Sequence, residues 1–206
     1  FFKKISKNES DENLLNFLMS YYDQEYNLNA SDIIELPNNK ILSKYPAWSL
    51  VLPWEQNTID KKLNNYPSQF IKNRSKFFEE IKYIKKTNYR DLFYSFENAK
   101  SQLIQTRDLY NNIKKNGLKI SSNKPKINIL INGNEWRWFM SGNGNHRAYI
   151  INELKYQDLE CEVDSIINKN DLTSLHNVKN NIFSKYEAEK IFDHYFKGDK
   201  CLRGIT

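Results

Sequence analysis

The residues best suited to chemistry gather in one short stretch, Ser141-Gly142-Asn143-Gly144-Asn145-His146-Arg147. The two glycines flanking Asn143 can take positive φ and let a ligand approach the backbone closely. A helical pattern begins at Ala148, so the loop ends where a helix starts. Unpaired N–H groups and the positive end of the helix dipole favour an anion at such a start. Arg147 adds a planar fork suited to phosphate oxygens, and His146 can donate to a phosphate or fix the loop through its second nitrogen. The stretch lacks the Lys-Ser/Thr ending of a P-loop and the spacing of a dinucleotide fingerprint. A plainer reading stands beside the functional one: the glycines make only a tight strand-to-helix turn, and Arg147 pairs with Glu153 or another surface acid.

Glu55, at the end of Leu52-Pro53-Trp54-Glu55, is a carboxylate of the kind that can take a proton from a hydroxyl, and local pattern alone reads it as helix-starting or on the surface. Asp91 and Glu135 are weaker candidates that sit in no motif. Trp48 and Trp54 offer stacking surfaces or core residues. Trp136 and Trp138 share one face of a strand by spacing, with Arg137 on the other, and are expected to pack helices onto the sheet. Arg74 and Arg90 are possible extra phosphate contacts or solvated charges. His176 and His194 have no partner at ligand spacing, and Cys161 and Cys201 show no zinc-ligand pattern, so neither a metal site of protein ligands nor a disulfide scaffold is expected.

These residues need elements to hold them. Asp11 to Tyr26 reads as a helix with Leu14, Leu15, Phe17, Leu18, Tyr21 and Tyr22 on one broad stripe, capped by Ser10 or Asp11. Ala47 to Glu55 is an apolar run closed by proline and is expected to contain a strand. Asp60 to about Lys86 carries Phe70, Phe77, Phe78, Ile81 and Ile84 near a helical period. Ser95 to Lys115 is a clearer helix ended by Gly117. Ile127 to Ile131 alternates, Asn132-Gly133-Asn134 is a hairpin turn, and Trp136 to Met140 return as a second strand. After the loop, Ala148 to Leu154 begins a helix, and Leu159 to Val163, including Cys161, is expected as another strand. Ser184, with Glu187 three residues on, caps a last helix to Phe196.

The chain has 206 residues, 39% of them hydrophobic, enough for one core rather than global disorder. Its formal net charge of +6 fits nucleotides, nucleic acid or an acidic sugar as partners, or a merely Lys-rich solvated surface. The densest basic cluster, Lys82 to Lys86, is interrupted by Tyr83 and Ile84 and belongs to a helix face. No apolar run has the length of a membrane helix and no leader pattern is present, so the expected location is cytoplasmic. The simplest organisation is a single domain over 1–206: a helical N-terminal extension (1–46), an α+β core (47–167) and a C-terminal helical segment (168–206).

The order helix, Gly117, strand, Asn-Gly turn, strand, Ser-Gly-Asn-Gly-Asn-His-Arg-Ala, helix and short strand resembles the ParB/sulfiredoxin superfamily over about residues 95 to 167. In that superfamily a Gly-x-His-Arg or Gly-x-x-Arg loop opens a helix that holds nucleotide phosphates. The resemblance implies a small mixed sheet with the glycine loop at a helix N-terminus, flanked by N-terminal and C-terminal helices. It places Gly144, Asn145, His146 and Arg147 on the phosphate loop. Sulfiredoxins carry a catalytic cysteine where this chain has Asn145, which argues against sulfinic acid reduction. ParB partition proteins have a loop richer in Arg and a following helix-turn-helix, whereas one convincing helix follows Val163 here. The free-serine kinases of the superfamily are closest in loop chemistry, and Glu55 holds a comparable place to their early acidic base. The expectation is therefore a nucleotide-dependent phosphotransferase using ATP or another nucleoside di- or triphosphate with Mg²⁺, acting on a small hydroxyl-bearing metabolite such as an amino acid or sugar, with Glu55 and His146 as catalytic residues. The alternatives are a nucleotide-gated or nucleic-acid-binding module or nuclease of the ParB type, and a non-catalytic anion-binding accessory protein of polysaccharide metabolism.

Overall fold

A computed structural model of the protein describes residues 1–65, 89–118, 124–141 and 144–198. Several expectations lie outside these: the helix through Phe70, Phe77, Phe78, Ile81 and Ile84, the Lys82–Lys86 cluster, Arg74, Cys201, and, from the loop itself, Gly142 and Asn143. The architecture is mixed α+β. Among the described residues its helices include α1 (Phe2–Ser6), α2 (Asp11–Tyr26), α3 (Ala30–Ile33), α4 (Tyr89–Phe93), α5 (Phe96–Asn116), α6 (Asn145–Glu153), α7 (His176–Lys179) and α8 (Lys185–Lys197), and residues 59–65 are helical as well. The strands β1 (Lys126–Asn132), β2 (Glu135–Met140) and β3 (Glu162–Asn168) form one mixed sheet in the order β2-β1-β3. No helix among the described residues is long and apolar enough to cross a membrane.

Contacts divide the chain into two compact units, each assembled from separate stretches: 1–24, 70–127 and 140–162 in the first, and 25–69, 128–139 and 163–206 in the second. In the first unit α2 buries Leu14, Leu18 and Tyr22, the four-residue rhythm that brings one helix face to a core. Ser95 caps α5 by accepting from the Asn98 N–H, and Gly117 ends it at φ 72°, so both ends of this helix are set by local chemistry. Asn98 is wholly buried and its amide donates to the Tyr22 hydroxyl at 3.1 Å and the Phe93 carbonyl at 2.6 Å. Arg107 of α5 reaches the Glu9 carbonyl at 2.6 Å and pairs with Asp11, and both α1 and α5 pack on α6.

The second unit holds an apolar cluster in which Leu42, Val51, Leu130, Leu172, Phe183 and Phe192 lose essentially all exposure. Two buried asparagines organise its loops. Asn39 accepts from the Ile41 and Leu42 N–H groups and donates to the Ile182 carbonyl at 2.9 Å and to Glu187 at 3.0 Å. Asn177 donates through one side-chain nitrogen to the Leu52, Glu55 and Asn57 carbonyls at 2.9, 3.0 and 3.1 Å. Ser184 and Glu187 form the expected capping box on α8.

Four local expectations need correction. Residues 47–55 form no strand: Ala47–Ser49 is a 3-10 turn, and the carbonyls that a neighbouring strand would satisfy are taken by Asn177. Pro46 and Pro53 supply no N–H to a ladder in any case. Helix α6 starts at Asn145 rather than Ala148, which moves His146 and Arg147 from the loop into the first helical turn. The last strand spans Glu162–Asn168 rather than 159–163, because this register buries Ile167 and lets Ser165 donate to Asn128 at 2.7 Å. Cys161 therefore precedes the strand. Trp136 and Trp138 are 60% and 57% exposed instead of packing helices onto the sheet, as β2 lies at the sheet edge. Trp54 is buried against Phe139 and Tyr195, and Trp48 is half-buried.

Removing the Asn177 donor strands three carbonyls at once. Asn177→Ala is expected to lower unfolding free energy by about 2–4 kcal/mol, read as an earlier urea midpoint for loss of tertiary signal. An unchanged midpoint would show that water replaces the amide at no cost.

Candidate anion-binding loop

The chain reaches the loop from β2 and leaves it into α6, and one short segment fixes both passages. Ser141 N–H donates to the Lys126 carbonyl at 2.9 Å, continuing the β1–β2 hairpin pairing past the end of β2. The neighbouring Pro125 carbonyl accepts from the Glu162 N–H at 2.9 Å, at the start of β3. Pro125 also meets Gly144: a β-carbon added there would lie 2.8 Å from the Pro125 Cβ and 2.9 Å from its Cα. Gly144 stands at φ 92°, in the left-handed region, as the N-cap of α6. Two independent constraints thus demand glycine at 144, and neither involves a ligand.

What the loop leaves unspent is informative. Gly144 contributes no side chain to the start of α6, and no side-chain cap hydrogen bond is made there. The Ser141 Oγ and Asn145 Oδ1 atoms are both withdrawn from solvent without a hydrogen-bond partner among the described residues. Buried polar atoms are ordinarily paired because desolvation without a partner costs on the order of 1–3 kcal/mol. Two such atoms flanking one uncapped helix start leave hydrogen-bonding capacity on both sides of the turn. Two residues past Asn145, Arg147 is half-buried, and His146 between them is exposed. The His146 ring lies 5.6 Å from that of Phe2, which stacks on Tyr149 at 5.0 Å. Phe2 of α1 therefore holds two rings one helical turn apart, and nothing in the sequence pattern signalled that contact.

Glu55 belongs to the second unit, whereas Ser141 and residues 144–147 belong to the first. Its carboxylate accepts from the Leu52 N–H at 3.2 Å and pairs with Lys62 at 3.0 Å, closing the Leu52–Glu55 turn. Glu135 pairs with Arg137 at 3.6 Å in an exposed position, a contact of small energetic weight, and Asp91 is exposed on α4. Burial pushes the Cys161 thiol up from its ordinary value, leaving little nucleophilic thiolate at neutral pH. No group of three or more His, Cys, Asp or Glu side chains gathers into a metal site among the described residues.

Comparison with protein-family models, curated proteins and solved structures gives no match for this chain. The functional reading rests on the geometry and chemistry of its own residues.

The loop predicts an unusual stability pattern. Gly144→Ala is expected to destabilise the protein by about 2–4 kcal/mol through the left-handed φ and the Pro125 contact. Ser141→Ala, which removes an unpaired hydroxyl, is expected to be neutral or slightly stabilising. Thermal denaturation of both variants checks this, and a Ser141→Ala protein that melts well below the parent would mean the hydroxyl is already satisfied.

Proposed function

We propose that the protein binds the phosphates of a nucleotide at the Ser141–Arg147 loop and passes a phosphoryl group to a small hydroxyl-bearing molecule. The observation that carries the first half is the unspent hydrogen-bonding capacity there. The Ser141 hydroxyl and the Asn145 side-chain oxygen lack a hydrogen-bond partner among the described residues, at a helix start that has no side-chain cap, and Arg147 lies in the first turn of that helix. Rotation of the Asn145 amide presents its N–H₂ group to an anion. The sequence of α5, Gly117, β1, β2, glycine turn, α6 and β3 supports a ParB/sulfiredoxin-like core, in which such a turn holds phosphates.

In phosphoryl transfer the acceptor oxygen forms a bond to the terminal phosphorus as the bond to the leaving phosphate breaks, and the hydroxyl proton passes to a base. Mg²⁺, bound with the nucleotide, would offset charge on the phosphate oxygens. The chain's own contribution is to hold those oxygens in place through Ser141, the α6 amides and Arg147, and to accept the proton. Of the two candidate bases, His146 stands on the same helical turn as the phosphate donors. Glu55 is committed to Leu52 and Lys62, which favours a structural role for it.

Calorimetry with ATP and ADP in the presence of Mg²⁺ is expected to show binding that weakens about tenfold in Arg147→Ala and severalfold in Ser141→Ala. Phosphate transfer across a panel of amino acids and sugars is expected to fall strongly in His146→Ala and to survive in Glu55→Gln. Binding without transfer to any acceptor would reduce the assignment to an anion-binding accessory protein, and no binding at all would remove it.

The exposed Trp136 and Trp138 side chains, 60% and 57% accessible, favour one second reading. Together with the net charge of +6, they offer bases a stacking surface. A single-stranded oligonucleotide would then quench tryptophan fluorescence, with an affinity that falls steeply as salt rises. Unchanged emission at low salt excludes this reading.

A further inference from the structure

Residues 128–139 belong to the second unit, where β2 forms one edge of the sheet among the described residues. The Ser141–Lys126 bond and the two-residue turn Gly133-Asn134 set the hairpin register, so Ile131 lies across from Trp136 and Ile129 across from Trp138. In that register Glu135, Arg137 and Phe139 aim their backbone groups at β1, and Trp136 and Trp138 aim theirs away from it. The Arg137 guanidinium reaches the outward Trp136 carbonyl and donates to it at 2.8 Å. The Trp136 N–H and both backbone groups of Trp138 have no partner among the described residues.

Side chains alternate across a strand. Phe139 packs on the core with Leu130 and Ile167, so Trp136 and Trp138 stand on the opposite face, each more than half exposed. An edge with free backbone groups and exposed apolar side chains is a template for another strand. The charges of β2 select which strand. Glu135 and Arg137 flank Trp136, with side chains 68% and 56% exposed. Set antiparallel to a copy of itself about Trp136, the strand puts Glu135 of each copy directly opposite Arg137 of the other. These are the non-hydrogen-bonded positions, where side chains approach most closely. Centred on Glu135 or on Arg137 instead, the pairing sets like charges against each other. Centred on Trp138, it gives neither charge an opposite across the strands. The other edge, β3, carries Glu162 and Asp164 and no basic residue, so two copies of it repel.

We propose that β2 pairs with β2 of a second copy of this chain, antiparallel about Trp136, so that the two sheets continue as one. The Trp136 backbone groups of the two copies bond to each other across the two-fold axis. Arg137 moves from its own Trp136 carbonyl to Glu135 of the other copy, and the two Trp136 rings meet on the open face. Trp136 and Trp138 together expose on the order of 300 Å², less than the roughly 800 Å² that each partner gives a standard interface. The dimer is therefore a weak one, forming in the micromolar range. It does not rest on the phosphate loop.

Sedimentation equilibrium over about 5 to 500 µM tests it, and the parent is expected to pass from monomer to dimer across that range. Glu135→Arg and Arg137→Glu each set like charges opposite one another and are expected to weaken association about tenfold. An equimolar mixture of these two variants restores both opposite-charge pairs and is expected to associate about as tightly as the parent, as is the double variant. Recovery in the mixture distinguishes pairing across the strands from a loss of fold in either variant. A parent that stays monomeric at the highest concentration, single variants that dimerise as the parent does, or a mixture no more associated than its components would overturn the proposal.

Discussion

The dipeptide Pro125-Lys126 is the point on which the loop depends. One carbonyl accepts the amide that leaves β2, the next accepts the amide that enters β3, and the proline ring occupies the space a side chain at 144 would need. Strand exit, strand entry and helix start are thereby fixed to one another within a few residues. A helix positioned by steric contact with a proline has no capping side chain over its first turn. The same contact that makes glycine obligatory therefore leaves the turn chemically open, and a structural requirement and a binding capacity have one cause. This is also why loss of function in a Gly144 variant would say little about ligands, whereas Ser141 and Arg147 report on them more cleanly.

Much of the scaffold was legible in the sequence because its signals are local. The alternation of β1, the Asn-Gly turn and the returning strand specify a hairpin within a dozen or so residues. Ser95 and Gly117 bracket α5, and Ser184 with Glu187 starts α8, since caps act over a single turn. The stripe of α2 was equally plain, although Phe17 proved 40% exposed and the burial falls on Leu14, Leu18 and Tyr22.

What was illegible depends on partners distant in sequence. Residues 47–55 have the hydropathy of a strand, but Asn177 satisfies their carbonyls from more than a hundred positions away. The register of β3 is chosen by Asn128 and by the burial of Ile167, not by the apolar residues that stand out near Leu159. The helical pattern points to a start at Ala148 because Asn145 and His146 are poor helix formers, yet the Pro125 contact and the left-handed Gly144 begin the helix ahead of them. Of the candidate residues, Ser141, Asn145, His146 and Arg147 stand out by type and spacing. Phe2, Tyr149 and Pro125, which hold them, carried no signal.

The account stands or falls on where an inorganic anion perturbs the protein. Amide chemical-shift mapping during a pyrophosphate titration answers this directly, without assuming any reaction or acceptor. The predicted result is a saturable set of shifts confined to Ser141, Gly144–Arg147 and their neighbours in α6. Shifts scattered over surface lysines, or a saturable set that leaves the start of α6 untouched, would contradict it.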